Sequence, residues 1–385
     1  MQRRAFLGVL GGLTLVSGAG SLSSLSKFIS ADSQVAFGKV DLAADSVSQG
    51  IGPRLASAAR SADGSFQLIV TQGDKVVSSN AIGLRGHGVV AHPKQHAVLV
   101  MARRPGNLMY LIDQNSGEVL KTITAAPTHH FYGHGVFSKD GNTYWSTENN
   151  VDTGEGLIVC RDSTTFDTLI QFPSYGIGPH QLEFLNHQSV LVVANGGILT
   201  RPDQPRKKLN LDTMEPNLSY IDIATGKLLA QYKPEFHQQS LRHLTVSPKD
   251  QVAVGIQYEG DPTRVVPLVV FHSGEDQLLN GIVNDESEWQ RFNQYTASLA
   301  CSDEKLCVTS PRGGVVSFWD MQTRKLTQFS EFKDCAGAGW HTKNQSFVVS
   351  SGEGFVRWYD QASLKVSNEH HFKGIQWDNH LGLIS

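Results

Sequence analysis

One phrase recurs along this chain and leaves few folds open to it. A short apolar strand ends on an aspartate, a polar turn follows, and a second short strand resumes. The phrase appears as Leu-Met-Tyr-Leu-Ile-Asp113, Leu-Ile-Val-Cys-Arg-Asp162, Leu-Ser-Tyr-Ile-Asp222, Val-Ser-Phe-Trp-Asp320 and Val-Arg-Trp-Tyr-Asp360. Turns such as Asn115-Ser116-Gly117-Glu118 and Ala224-Thr225-Gly226-Lys227 come directly after it. A second phrase opens each unit with an apolar strand and a tight turn, as in Gly135-Val136-Phe137-Ser138-Lys139-Asp140-Gly141 and Leu244-Thr245-Val246-Ser247-Pro248. In order, the pieces read strand, turn, strand, loop, strand ending in Asp, turn, strand. Four antiparallel strands per unit of roughly 45 residues is the pattern of a propeller blade.

The expected fold is therefore all-β: a seven-bladed β-propeller of four-stranded antiparallel blades, near 55–83, 84–128, 129–175, 176–236, 237–291, 292–333 and 334–372. A chain of 385 residues fits one such domain over 32–385. The first blade is a strand short, and segments 35–42 and 375–384 are the candidates to complete it. Closure of that kind removes exposed strand edges. Two stretches break the rhythm: a polar, Pro-rich insertion at 198–217 and an acidic, irregular run at 274–291.

Residues 1–31 read as an export signal rather than as part of the fold. Arg3-Arg4-Ala5-Phe6-Leu7 has the form of a twin-arginine signal, and the run from Gly8 to Leu25 is too rich in Gly and Ser for a good spanning helix. A periplasmic address and no membrane insertion after signal removal are expected. The net charge of -3 and the scattered Lys and Arg exclude a nucleic-acid binder. The protein is expected to be a monomer. Four cysteines in an exported chain invite disulfides, and Cys301 and Cys307 flank a hairpin turn across which they would pair. No CxxC or CxxCH occurs, which excludes thioredoxin-like chemistry and covalent c-type haem.

Aligning the blades on their opening phrase brings four histidines into one register. His87, His134, His180 and His243 each stand just before the first strand of four consecutive blades, where the others hold Ser57, Ala297 and Ala338. The first strand of a blade lines the central channel, so the four imidazoles fall on an arc at one mouth, which is taken to be solvated. They would ligate a transition metal: copper, iron or zinc. The competing reading is a WD-type histidine that makes a buried hydrogen bond within its own blade. Arg85 and Arg242, one or two residues before hub histidines, suit an anion, and His130 stands nearby. Cys335 falls near the same mouth and Glu183 on an inner strand. No G-x-S-x-G elbow, H-E-x-x-H or Walker loop stands in a supporting context.

The phrases Arg85-Gly-His-Gly, Arg103-Arg104-Pro105-Gly106, His130-Phe-Tyr-Gly-His-Gly, Gly176-Ile-Gly-Pro-His, Ala194-Asn-Gly-Gly, Arg242-His-Leu and Thr309-Ser-Pro-Arg-Gly-Gly resemble a bacterial family of exported propellers, the domain-of-unknown-function family fifteen-thirteen. The resemblance runs over nearly the whole chain after the signal. It implies a periplasmic accessory role in iron or other metal homeostasis, with iron-uptake proteins as partners. Thr128-His129 stands where the family would have Arg, and Arg201 where its insertion would have His. Two alternatives stand beside metal binding: a quinoprotein-like oxidoreductase or lactonase-like hydrolase using the same face, and a docking scaffold without a small-molecule site.

Overall fold

The computed structural model describes residues 52–204 and 207–384. The signal segment and the 35–42 candidate strand lie outside them. The described residues form seven antiparallel sheets, each a blade. Six blades have their four strands in chain order from the inside outwards. Their innermost strands are Gly86–Ala91, His129–Phe137, Pro179–Phe184, Gln239–Val246, Leu299–Cys301 and Cys335–His341, in blades 2 to 7. Blade 1 is built from both ends of the propeller. Arg54–Ser61, Phe66–Gln72 and Lys75–Ala81 supply its outer strands, while Ile375–Trp377 and Gly382–Ile384 pair with Arg54–Ser61 on the inner side. The C-terminal candidate thus completes the blade. Each inner strand packs beside the next, and Gly382–Ile384 closes the ring between blades 7 and 2.

The recurring aspartate has a local cause. Asp113 Oδ1 accepts the backbone N–H groups of Asn115 and Ser116 at 2.9 and 2.7 Å, and Asp162 Oδ1 accepts those of Thr164 and Thr165 at 2.8 Å. Asp222, Asp320 and Asp360 do the same for Thr225, Thr323 and Ser363 at 2.8 Å. Each carboxylate satisfies donors that a tight turn leaves outside the ladder, so the residue fixes where the third strand stops.

The apolar core lies between blades rather than within them. Trp145 and Ile158 of blade 3 meet Leu191 and Val193 of blade 4, Phe318 of blade 6 meets Phe347 and Tyr359 of blade 7, and Ile69 of blade 1 meets Val348 and Trp358 of blade 7. Burying such a side chain is worth about 1.5–3 kcal/mol each, so stability depends on every blade having two neighbours. The two irregular stretches are tied into the same body. In the insertion, Asn210 accepts from Leu199 N at 2.7 Å and donates to Gly197 O at 2.8 Å. The acidic run supplies the outer strand of blade 5, Leu279–Asn280, and then a 3-10 helix, Glu286–Phe292, whose Trp289 stacks on Trp319 with ring centroids 5.3 Å apart.

The cysteines correct the disulfide expectation: all four are free and buried. Ala300 lies opposite Cys307 and Cys301 opposite Leu306, so the two thiols face opposite sides of their sheet. Cys335 is not at the mouth either. It is fully buried between blades 6 and 7, with its thiol donating to Val315 O at 3.2 Å.

A histidine cluster at the hub mouth

The inner strands carry the histidines on irregularities of the ladder. In blade 2 the pairing runs Gly86 with Ala102, then Val89 with Val100. In blade 3 it skips from Phe131 to Gly135, in blade 4 from Pro179 to Gln181, and in blade 5 from Leu241 to Leu244. His87, His134, His180 and His243 are among the skipped residues. A bulged residue leaves the alternation of the strand, and its side chain is aimed afresh, here towards the axis. Glycines give the room this needs. Gly133 has φ +105°, and a Cβ there would stand 2.3 Å from His87 Cδ2.

The same irregularity recurs in blade 1, where pairing passes from Trp377 to Gly382 and leaves residues 378–381 out. His380 sits in that gap and joins the cluster, with ring centroids 4.4 Å from His87, 4.5 Å from His134 and 4.7 Å from His243. This corrects the register. Ser57 lies on the second strand of its blade, and its counterpart on the inner strand is His380. In blade 7 the skipped residues are Ala336 and Gly337, while Ala338 is paired with Val349. The signal for His380 was legible: Asn379-His380-Leu381 follows the order of Arg242-His243-Leu244. It is hidden until the last strand is assigned to the first blade.

The four histidines in the expected register come together, with one ring nitrogen from each lying within 4.8 Å of the others. His180 Nε2 and His243 Nε2 are 2.9 Å apart. At that distance the two rings share one proton as an N–H···N hydrogen bond, which an ion bound to both nitrogens would replace. The WD-type alternative requires a hydrogen bond from each imidazole within its own blade. Instead His87 Nδ1, His134 Nε2, His180 Nδ1, His243 Nδ1 and His380 Nε2 are buried without a partner. The Nδ1 of His380 is fixed, 3.0 Å from Ser298 Oγ. The Ser298 hydroxyl donates to Asn379 O at 3.0 Å, so the imidazole Nδ1–H donates to Oγ and leaves its Nε2 lone pair facing the cluster.

The cluster is buried rather than solvated: His87, His134, His243 and His380 are each less than a tenth exposed, and only His180 keeps a partial opening. Burial, then mutual repulsion, holds His87, His134, His180 and His243 well below the usual imidazole range. Burial, then Arg103, takes His380 down to about 3. All five are neutral near pH 7, the state in which imidazole binds a metal.

Against the histidines opens a cavity of about 90 Å³, lined by His87, His180 and His243 together with Arg103, Arg104, Arg242, Tyr132 and Tyr295. Arg242 therefore stands where the sequence placed it. Arg85 does not line this cavity, since its guanidinium grips Asp378 through Nε–Oδ2 at 2.6 Å and Nη2–Oδ1 at 3.0 Å. His130 is also turned aside, its Nδ1 3.2 Å from Phe131 O and its ring stacked on Tyr132. Its neighbour His129 holds Glu148 at 3.0 Å, and Glu148 in turn pairs with Arg161 at 2.6 Å. Glu183 lies on the inner strand of blade 4, where burial raises its carboxyl to about 7. Arg103, Arg104 and Tyr132 were in view as parts of phrases, but nothing local marked them as neighbours of Arg242.

No curated protein matches the chain. Among solved structures it is similar to a chain of hydrazine synthase from Kuenenia stuttgartiensis, with a TM-score of 0.58 and 14% identity over 88% of this chain and 100% of that one. At that identity the likeness speaks for the fold alone. Residues 80–384 match the family described as protein of unknown function (DUF1513), a span that takes in blades 2 to 7, the closing strand and all five histidines. The chain belongs to the DUF1513 family.

Proposed function

We propose that this propeller is a metal-binding protein of the periplasm, holding one divalent transition ion among His87, His134, His180 and His243, with His380 beside them. The observation that carries the reading is the convergence of four neutral imidazoles in the hub, one ring nitrogen of each lying within 4.8 Å of the others. An unsatisfied buried polar atom costs about 1–3 kcal/mol, and a ligand that takes the lone pairs of His87 Nδ1, His134 Nε2 and His380 Nε2 would remove that cost from three of the rings. An all-imidazole set suits copper, zinc or iron, with copper binding tightest in vitro by the usual order of divalent stabilities. The Arg3-Arg4 segment supports export by the twin-arginine route, and the family resemblance supports a place beside iron-uptake proteins as an accessory of metal homeostasis.

Elemental analysis of protein isolated from its native periplasm tests the reading directly and should find about one equivalent of a first-row metal. Calorimetry with copper, zinc and iron should give a single tight site in the wild type. His134→Ala/His180→Ala should bind at least about a hundredfold more weakly, two ligands having been lost. Equal, weak binding by both proteins would reject the metal site and leave a docking scaffold as the better reading.

A further inference from the structure

Three guanidinium groups face the cavity over the histidines. Arg103 and Arg104 follow the strand Ala97–Ala102 of blade 2, and Arg242 comes from the bulge of blade 5. Among the described residues none of the three has an ion-pair partner within 4.0 Å. Two carboxylates act on them from further off, and both are held elsewhere: Asp378, which acts on Arg103, by Arg85, and Glu259, which acts on Arg242, by Lys208. Arg242 is 5% exposed, and its Nε is buried with no acceptor. Arg104 reaches only the Tyr132 hydroxyl, at 3.4 Å. A buried, uncompensated guanidinium is costly, and three sharing one cavity repel each other as well.

We infer that Arg103, Arg104 and Arg242 form an oxyanion subsite directly above the histidine cluster, and that its ligand is a small polycarboxylate that also coordinates the bound metal. The inference rests on the metal site proposed above and names what accompanies the ion. Guanidinium is the group best shaped to receive a carboxylate through two parallel N–H donors. Arg103 and Arg104 come from blade 2 and Arg242 from blade 5, and donors supplied from two separated blades match several separate carboxylates better than one compact tetrahedral anion. A ligand with two or more carboxylates spans both layers, with one oxygen on the metal and the rest on the arginines.

Isothermal titration with citrate and, separately, inorganic phosphate tests this on metal-free and zinc-loaded protein. Citrate should bind the zinc-loaded form at least about tenfold more tightly than the metal-free form and leave the zinc in place. Arg103→Gln/Arg104→Gln, which touches the more open side, should weaken citrate at least about tenfold while changing zinc affinity without citrate less than about threefold, each lost charge-assisted bond being worth that much. Arg242→Lys keeps a charge at the buried position but not the fork, and should also weaken citrate. Phosphate binding as tightly as citrate would overturn the polycarboxylate assignment. Zinc stripped by citrate would overturn the joint site, and arginine variants that bind citrate like the wild type would overturn the subsite. Arginine-dependent citrate binding that is indifferent to zinc and to His134→Ala/His180→Ala would keep the subsite but reject the metal beneath it, separating the two failures.

Discussion

Blades 1 to 5 and blades 6 and 7 are built alike, with an inner strand at the axis and an apolar core shared with their neighbours. At the axis they differ. The first group sends His380, His87, His134, His180 and His243 inwards, whereas blade 6 offers Ala297 and blade 7 Ala336 and Gly337. Backbone geometry alone does not account for this, because blade 7 has the same bulge as blade 2 and fills it with residues that have nothing to donate. The bulge supplies the aim, and the side chain decides whether chemistry follows. Crowding five rings within one arc leaves the opposite side small, and blade 6 takes a supporting part there through Ser298, which orients His380.

The largest effect should come from breaking the closure on which the arc depends. Deleting residues 375–385 removes the inner strand of blade 1 and exposes the facing edges of Arg54–Ser61 and Gly86–Ala91, so the cooperative thermal transition should vanish in calorimetry. His380→Ala, by contrast, leaves the strand and should melt cooperatively. A truncated chain with the wild-type transition would show that the seventh interface carries little of the stability.

The next effect is on the metal-free protein as acid is added. The folded-state histidines of the arc titrate well below the free value of about 6.5, so between those two points the unfolded chain binds more protons than the folded one. Stability from this source is complete above about pH 6.5 and is lost as pH falls below it, by up to about 1.4 kcal/mol per pH unit for each histidine. Urea melts between pH 7.5 and 5 should therefore show a falling free energy of unfolding, with a shallower slope in His134→Ala/His180→Ala. A slope unchanged by that substitution would place the acid sensitivity outside the arc.

The smallest effect sharpens the part given to blade 6. Ser298→Ala removes the acceptor for His380 Nδ1–H while leaving all five imidazoles, and should lower metal affinity about tenfold if His380 joins the ion. Identical affinities by calorimetry would confine the site to the other four.

Sequence by itself determined the seven units, the turn aspartates and the shared position of His87, His134, His180 and His243. Each of these depends on contacts within a few residues, as when Asp222 caps the N–H of Thr225, or on a period repeated blade after blade. Only the tertiary structure decided what crosses the ring. His380 enters the cluster because the chain's end returns to its beginning, a closure that also brings Asp378 to Arg85 across 293 positions of sequence. The burial that keeps the imidazoles neutral, the convergence of Arg103 and Arg104 on Arg242, and the opposite facing of Cys301 and Cys307 were likewise settled there. Those relations depend on the separation and orientation of strands from different blades or on opposite faces of one sheet, quantities that no local pattern of residues fixes.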